Sequence, residues 1–486
     1  MLSREGYHWN ATEGLVKGLP CIGKIEPASN LQGENRSGYD VVVLGAGYAG
    51  LTAARDLTLA GYRTLILEAR DRIGGRSWSS NIGSYPYEMG GTWVSWRQPH
   101  VWREISRYEM RDQLEVSPNQ STGKNFSTLT TKYGQRDMAH HEEDALIQSA
   151  LRKLANVDDA EGKNAMPFPH NEGFVPETSK LDSLSLSDRL KQIEHSLSPD
   201  ELAIAKEWVL ATSGGTPENT SFYEFLHWWA LSGHSYQGWV EDMIKYKFRG
   251  GQSSFAIRFF QEALATGKLA YAFDNRVTSV VDSGKDITIQ TASGQTFRGA
   301  KVVCTIPLNV LHTISFSPPL SPAKAQAIKI GHVNKMSKVH CESRGLDLRS
   351  WSGLNSSCNP LTFAFGDGIT PDNNTHIVAF GPSEKQLHPE RDVEATKRAL
   401  QNLTSMDIKR LVFHNWAEDE FAQGAWFFSG PGFITKYLQD LRGSHGNIYF
   451  ANSDWAVGWR SFIDGAIEEG TRAALNIQRS LRQKTI

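Results

Sequence analysis

A short apolar run that ends in a glycine-rich turn constrains this chain more than any other feature. Residues 39–44 read Tyr-Asp-Val-Val-Val-Leu, a β-branched run typical of a buried strand. Residues 45–50 read Gly-Ala-Gly-Tyr-Ala-Gly and lead into helical periodicity over residues 49–60. A second apolar run, residues 64–67, ends at Glu68. A strand, turn, helix and strand within about thirty residues predict a Rossmann-type nucleotide-binding unit.

Each glycine of this turn has its own expected role. Gly45 permits the tight turn out of the strand, Gly47 lets backbone N–H groups approach a pyrophosphate, and Gly50 lets the helix pack against the strand. The helix N-terminus adds partial positive charge where the phosphates lie. Glu68 is placed to accept hydrogen bonds from a ribose, and its carboxylate disfavours a 2′-phosphate, which argues against NADP. A strand–helix turn without a ligand is the alternative.

The segment after Glu68 narrows the choice of dinucleotide. Residues 69–76 read Ala-Arg-Asp-Arg-Ile-Gly-Gly-Arg, with two glycines and three arginines directly after the ribose carboxylate. Arg76 is well placed for a charge-assisted bond to the pyrophosphate. Nicotinamide-binding units do not need such a segment. The run resembles the GG-type FAD family, which covers amine oxidases, amino-acid oxidases, protoporphyrinogen oxidases and carotenoid desaturases, and the resemblance implies FAD as the cofactor.

Length and composition exclude several other classes of protein. A chain of 486 residues predicts two or three domains, and a net charge of −2 gives no reason to bind nucleic acid. The four cysteines have no metal-like spacing, and the His-His-Glu-Glu-Asp run at 140–144 predicts a solvated helix face, so we expect no metal. No run of about twenty apolar residues occurs, which predicts no membrane span. Without a clear targeting signal, we expect an intracellular protein, cytoplasmic or peroxisomal.

The alternation of elements predicts a mixed α/β (α+β) fold with two discontinuous domains. A Rossmann-like FAD-binding domain is expected beside a substrate-binding domain of mixed sheet and helices. Residues 1–38 are polar with weak periodicity, and we expect an arm on the surface. The expected FAD-binding segments are residues 39–112, 249–312 and 419–481, and the expected substrate-binding segments are 113–248 and 313–418, followed by a tail at 482–486.

Further motifs occur in the order seen in flavin amine oxidases. They are residues 87–93 (Tyr-Glu-Met-Gly-Gly-Thr-Trp), 248–252 (Phe-Arg-Gly-Gly-Gln), 276–278 (Arg-Val-Thr), 424–426 (Gly-Ala-Trp), 450–454 (Phe-Ala-Asn-Ser-Asp) and 461–470 (Ser-Phe-Ile-Asp-Gly-Ala-Ile-Glu-Glu-Gly). Together they cover residues 39–480, and the whole resembles a monoamine oxidase, with most likeness to the soluble fungal-type enzymes. The resemblance implies FAD contacts at Gly45, Ala46, Gly47, Gly50, Glu68, Ala69, Arg70, Gly75, Arg76, Gly90, Gly91, Thr92, Trp93, Val277, Ala425, Asp454, Phe462 and Ile463.

One position departs from the membrane-bound monoamine oxidases. Those enzymes hold FAD through a cysteine thioether in a Gly-Gly-Cys-Tyr element, whereas this chain has Gly-Ala-Trp at 424–426. Ala425 stands in the cysteine position and cannot form the bond. We therefore predict that FAD is held without a covalent link.

The same resemblance implies the reacting groups. Trp426 and Phe462 match the aromatic pair in front of the flavin, where the family usually has two tyrosines, and core packing is the alternative. Lys338 matches the lysine that holds a water against flavin N5, with a role in oxygen activation, although Lys335 lies close enough in sequence to be confused with it. Trp416 resembles a tryptophan at the flavin edge; a place in the core is equally consistent with its position.

The implied reaction is the oxidation of a simple primary amine by oxygen. By resemblance, a hydride equivalent passes to flavin N5, the imine hydrolyses to an aldehyde or ketone and ammonia, and oxygen becomes hydrogen peroxide. Polyamine oxidase, L-amino-acid oxidase and a flavin-binding scaffold without turnover remain as alternatives. The preferred amine is left open, as is assembly into a homodimer or homotetramer.

Overall fold

Two large sheets with helices packed around them form the molecule. The structure is a computed structural model that describes residues 1–31, 38–382 and 387–483. Its strands are β1 (Leu2–Asn10), β2 (Gly14–Pro20), β3 (Tyr39–Leu44), β4 (Thr64–Leu67), β5 (Ser79–Ile82), β6 (Tyr85–Glu88), β7 (Leu114–Val116), β8 (Phe126–Thr131), β9 (Gly134–Met138), β10 (Tyr246–Phe248), β11 (Leu269–Ala272), β12 (Val277–Asp282), β13 (Ile287–Thr291), β14 (Thr296–Cys304), β15 (Ser315–Ser317), β16 (Ser337–Ser343), β17 (Trp351–Asn355), β18 (Phe363–Ile369), β19 (Thr375–Gly381), β20 (Ile408–Phe413) and β21 (Ile448–Phe450).

The α-helices alternate with these strands along the chain. They are α1 (Tyr48–Leu59), α2 (Pro99–Arg107), α3 (His140–Ala155), α4 (Leu186–Ile193), α5 (Pro199–Ser213), α6 (Phe222–Leu231), α7 (Tyr236–Met243), α8 (Gln252–Ala265), α9 (Pro322–Ile330), α10 (Val393–Gln401), α11 (Ile434–Arg442) and α12 (Ile463–Gln483). Helix α5 shows the local signals clearly, because Ser198 caps its first turn and Gly214, in the left-handed region, ends it. In the part of the chain that the structure describes, no helix is both long enough and apolar enough to cross a membrane.

The first sheet carries the glycine-rich turn. Its order is β11-β4-β3-β14-β13-β12-β15, with β21 also paired to β14. Strands β11, β4, β3 and β14 run parallel to one another, so the carboxyl ends of β3 and β4 lie at one edge. The turn after β3 and Glu68 after β4 therefore come together, as ligand sites do in parallel sheets.

The second sheet has nine strands and includes the N-terminus. Its order is β2-β1-β20-β16-β19-β18-β17-β8-β9. The expectation of a surface arm was wrong for residues 2–20, because β1 and β2 form a hairpin at the edge of this sheet, with β1 paired to β20. The apolar pattern missed it because two of the buried residues of β1, Ser3 and Glu5, are polar. Residues 32–37 of the expected arm lie outside the described residues.

Other local predictions agree with the structure within a few residues. The helix expected over residues 49–60 is α1, and the two apolar runs at 39–44 and 64–67 are β3 and β4. Near Gly299, β14 changes from antiparallel pairing with β13 to parallel pairing with β3. The division into two domains stays a prediction. Apart from β1, β2 and β15, the strands of the first sheet come from the segments expected to bind FAD, and those of the second sheet come from the segments expected to bind substrate.

Candidate functional site

The glycine-rich turn adopts the backbone that its sequence requires. Gly45 has φ of +103°, and a Cβ there would lie 2.7 Å from the Thr305 hydroxyl. A Cβ on Gly50 would lie 2.0 Å from the carbonyl oxygen of Gly45, so only glycine allows α1 to pack this closely on the turn. No side chain caps the N-terminus of α1, whose first N–H groups have no intrahelical acceptors.

Gly47 differs from Gly45 and Gly50, the other two glycines of the turn. Its φ of −72° and ψ of 175° suit any residue, and a Cβ there would meet only the Gly75 Cα, at 3.8 Å. The protein itself therefore does not require glycine at this position. The space beside Gly47 belongs to a cavity that continues past Gly75 and Glu68. A ligand that approaches the backbone explains the glycine.

Glu68 lies in the wall of this cavity with little exposure to solvent. Its carboxylate accepts hydrogen bonds from the backbone N–H groups of Ala46, at 2.5 Å, and Arg70, at 2.8 Å. Burial raises its pKa, and these hydrogen bonds oppose the rise. A buried acceptor beside an uncapped helix N-terminus and a glycine that leaves room for a ligand fit the ribose and pyrophosphate of a dinucleotide.

The two arginines that sequence reasoning assigned to the cofactor have protein partners. Arg70 forms ion pairs with Glu5 and, at 2.6 Å, with Asp419. Arg76 pairs with Asp454 at 2.5 Å and donates to the carbonyl oxygen of Ala425 at 2.8 Å. Both arginines line the cavity, so each holds segments of its wall together.

A second glycine turn lies against the Arg76 segment. A Cβ on Gly90 would lie 1.8 Å from the Arg76 carbonyl oxygen, and one on Gly91 would lie 2.4 Å from the Ser77 hydroxyl. Thr92 and Trp93 continue the same wall of the cavity. This turn therefore brings the chain as close to residues 76–77 as its backbone allows.

Lys338 reaches this turn from the other sheet. Its ammonium donates to the Gly90 carbonyl oxygen at 2.8 Å and to the Thr92 hydroxyl at 2.6 Å. Burial lowers the pKa of Lys338, and the nearby carboxylates of Glu88 and Asp367 oppose this shift. Lys335 is exposed and lies outside the cavity, so of the two lysines only Lys338 is in a position to face a cofactor.

A group of aromatic rings lines another part of the cavity, called the aromatic end below. Phe462 packs against Trp228 with ring centroids 4.8 Å apart. Trp426 lies 6.4 Å from Phe380 and donates its indole N–H to the Thr212 carbonyl oxygen at 2.7 Å. Both residues of the predicted aromatic pair are thus half-buried and line the same cavity, but each packs against a different aromatic ring.

Several lining residues were missed by sequence reasoning. They are Trp208, Trp228, Trp239, Met243, Ile244, Phe363 and Phe380. The clustering of tryptophans in the sequence was a signal for Trp228 and Trp239, whereas nothing in the sequence distinguishes Phe363 and Phe380 from core residues. From the segments 113–248 and 313–418, Lys338 is the only charged residue among those described that line the cavity.

The remaining predicted contacts divide into two groups. Ala69, Val277, Trp416, Ala425 and Ile463 line the cavity together with the residues above, and Trp416 donates its indole N–H to the Met89 carbonyl oxygen at 2.6 Å. Ala46, Gly50 and Asp454 lie behind the wall. Asp454 is buried, and although burial opposes its ionisation, Arg76 holds its pKa below the ordinary value. These three residues support the wall and do not form its surface.

Comparison with known proteins identifies the family. The model of the flavin-containing amine oxidoreductases matches residues 48–478. The chain belongs to this family. The likeness read from residues 69–76 and the later motifs is therefore confirmed.

Individual relatives of this amine oxidoreductase span most of its length. A pseudooxynicotine dehydrogenase of Pseudomonas sp. is 30% identical over 450 residues, covering 92% of this chain and 87% of the relative. A nicotine dehydrogenase of Pseudomonas putida is 30% identical over 476 residues, covering 96% and 95%. The solved structure of putrescine oxidase bound to putrescine has a TM-score of 0.74 at 20% identity and covers 91% of this chain and all of that one. This structural likeness confirms the mixed α/β fold.

Proposed function

We propose that this amine oxidoreductase is an FAD-dependent monoamine oxidase that deaminates apolar primary amines with oxygen as the acceptor. The observation that supports it is one continuous cavity with a glycine-built cradle at one end and aromatic rings at the other. Lys338 contacts the second glycine turn, and its Nζ lies 5.8 Å from the centroid of the Phe380 ring. A bound FAD would supply the two-electron acceptor, taking a hydride from the carbon that bears the amine and passing the electrons on to oxygen.

The aromatic end can attract and orient an amine. The faces of Trp426 and Phe462 carry negative potential, and one such contact with a cation contributes roughly 0.5–1 kcal/mol when exposed and about 2 kcal/mol when desolvated. Neither residue has a phenol group, so this end favours apolar substituents on the amine. The indole N–H of Trp426 is already used on the Thr212 carbonyl oxygen, which fixes the plane of the ring.

The charges in the wall favour monoamines over the other substrates of related oxidases. A diamine needs a carboxylate for its second ammonium group, and an amino acid needs an arginine for its carboxylate. Among the described residues that line the cavity, the acids Glu68 and Glu420 and the arginines Arg70, Arg76 and Arg276 come from the segments expected to bind FAD. The substrate segments provide Lys338 alone.

The relatives support a second candidate for the electron acceptor. Both of the 30%-identical relatives are named dehydrogenases, of nicotine and of pseudooxynicotine. An acceptor other than oxygen is therefore the alternative, with the same cavity and the same oxidation of a carbon next to an amine nitrogen.

A substrate panel tests the proposal. We expect the purified protein with FAD to release hydrogen peroxide with benzylamine, and to release far less with putrescine or L-phenylalanine, because the substrate segments offer no carboxylate for a second ammonium group and no arginine for a carboxylate. Peroxide is measured by a peroxidase-coupled assay in air, and reduction of a redox dye is measured without oxygen. Nicotine is included as a fourth compound.

Each outcome of the panel bears on one alternative. Dye reduction without peroxide would assign the chain to the dehydrogenases. A preference for putrescine or L-phenylalanine would favour polyamine or amino-acid oxidation. If no compound yields peroxide or reduced dye, the proposed activity is refuted and a flavin-binding scaffold remains.

The flavin is expected to come free when the protein is denatured. Ala425 lines the cavity but has no sulfur, and none of the four cysteines lies among the cavity-lining residues that the structure describes. We expect acid precipitation to leave all of the yellow flavin in the supernatant, measured by its absorbance. Flavin that stays with the precipitated polypeptide would contradict a non-covalent cofactor.

A further inference from the structure

The N-terminal strand lies directly on the segment that follows Glu68. The Ser3 hydroxyl donates to one carboxylate oxygen of Asp71 at 2.8 Å, and the Arg4 backbone N–H donates to the other at 3.1 Å. The Arg4 guanidinium donates to the Ala69 carbonyl oxygen at 3.0 Å. Glu5 contacts the same segment through Arg70. Three successive residues of β1 therefore contact the chain between Glu68 and the glycines at positions 74 and 75.

Glu5 is the centre of this contact. Its carboxylate forms ion pairs with both Arg70 and Arg72, and Nε of Arg72 donates to it at 2.7 Å. The side chain is one-tenth exposed, and Arg72 is fully buried. Burial opposes ionisation of Glu5, but the two guanidinium groups lower its pKa to about 2, so it is a carboxylate at neutral pH.

Arg72 connects Glu5 to the wall of the cavity. While its Nε and one terminal nitrogen face Glu5, the other terminal nitrogen donates to the Gly75 carbonyl oxygen at 2.8 Å. Gly75 lines the cavity, and a Cβ on it would lie 3.1 Å from the Gly47 Cα. Arg72 therefore helps to set the spacing between the two glycine turns, together with the Gly74 backbone N–H, which donates to the Ala46 carbonyl oxygen at 2.9 Å.

The hairpin also anchors Glu5 to the second sheet. Residues Tyr7–Asn10 of β1 pair with β20, and Asp419, which shares Arg70 with Glu5, follows β20 in sequence. Strand β1 belongs to the second sheet, whereas residues 69–76, which it contacts, follow β4 of the first sheet. The ion pairs and the strand pairing together fix the position of the Glu5 carboxylate.

We propose that Glu5 is a positioning residue for FAD: through Arg72 it sets the Gly75 turn against Gly47 and thereby determines the affinity for the cofactor. The inference rests on FAD being the cofactor in the proposed function. Without the carboxylate, Arg72 would be a buried cation that keeps only neutral partners, two carbonyl oxygens and the Trp78 ring, and the segment would shift to solvate it. Glu5 does not line the cavity, so it acts only through its arginine partners.

The experiment compares Glu5→Gln with the wild-type protein and with Glu13→Gln. Glutamine keeps the size and removes the charge, and Glu13 is an exposed carboxylate in the turn of the same hairpin. The dissociation constant for FAD is measured by titrating the apoprotein and following flavin fluorescence at a temperature where all variants are folded. We expect Glu5→Gln to weaken FAD binding by about tenfold or more, with Glu13→Gln unchanged.

Further readouts separate positioning from a general loss of stability. With FAD at saturation, kcat of Glu5→Gln is expected to return to within about twofold of the wild-type value, since the amine end is untouched. Glu5→Asp, which keeps the charge on a shorter side chain, is expected to bind FAD more tightly than Glu5→Gln, and it serves as the test variant if Glu5→Gln does not fold.

An unchanged dissociation constant in the folded variants would overturn the inference, even if their unfolding temperature fell. Wild-type apoprotein that takes up no FAD would instead refute the proposed function, so the two failures are distinguishable.

Discussion

Gly47→Ala is expected to lose tight FAD binding while the apoprotein keeps its fold. The backbone at Gly47 suits alanine, and a Cβ there would meet nothing closer than the Gly75 Cα at 3.8 Å. The added methyl group instead occupies the space where a pyrophosphate would approach the N-terminus of α1. Loss of even one charge-assisted hydrogen bond, roughly 1.5–3 kcal/mol, weakens binding about 10- to 100-fold.

The measurement is FAD titration of the apoprotein, with circular dichroism to verify the fold. Gly50→Ala provides the contrast, because its Cβ would lie 2.0 Å from the Gly45 carbonyl oxygen. We expect Gly50→Ala to lower the unfolding temperature of the apoprotein, which Gly47→Ala does not. FAD binding by Gly47→Ala with wild-type affinity would show that no ligand approaches this turn.

Lys338→Met is expected to slow the reaction with oxygen far more than the reaction with the amine. The ammonium is buried between the Gly90 turn and the aromatic rings, where a positive charge stabilises negative charge that develops as oxygen is reduced. Removing one such preorganised group reduces a rate by about 10²–10³-fold. Methionine fills most of the same volume without the charge.

Stopped-flow absorbance separates the two half-reactions. Flavin reduction by amine is followed without oxygen, and reoxidation is followed after mixing the reduced enzyme with oxygen. Lys335→Met is the matched control, since Lys335 is exposed and outside the cavity, and it is expected to behave as the wild type. If Lys338→Met is reoxidised at the wild-type rate, Lys338 has no part in oxygen activation.

The same lysine predicts a pH dependence for reoxidation. Burial lowers the pKa of Lys338, with Glu88 and Asp367 opposing the shift and Lys247 adding to it. The side chain is charged below this pKa and neutral above it, so the rate of reoxidation should fall as pH rises through it. The fall should occur below the pKa of about 10.4 of a free lysine and be absent in Lys338→Met. A flat profile in the wild type would contradict this assignment.

The nucleotide-binding unit could be predicted from sequence because it is built from neighbours in the chain. Strand β3, the glycines at 45, 47 and 50, and Glu68 lie within thirty residues. Their roles follow from local backbone geometry, which a short sequence encodes directly. The structure shows that Gly47 alone of the three has room for a side chain, which separates the ligand-facing glycine from the two that packing requires.

The placement of Glu5 could not be predicted in this way. A carboxylate in a polar N-terminal segment has the pattern of a surface residue, and its burial depends on two arginines that follow some sixty residues later. The energy of a buried charge is set by the partners that surround it, and those partners meet only when the first sheet and the hairpin come together.

By itself, the sequence determined the dinucleotide-binding unit, the family and the absence of a cysteine at position 425. Only the tertiary structure decided which rings share the cavity, since Trp208, Phe363 and Phe380 come from separate elements and have the composition of ordinary core residues. It also decided that Lys338 is buried while Lys335 is exposed. The physical reason is that burial and the local field depend on long-range packing, whereas turn geometry depends on adjacent residues.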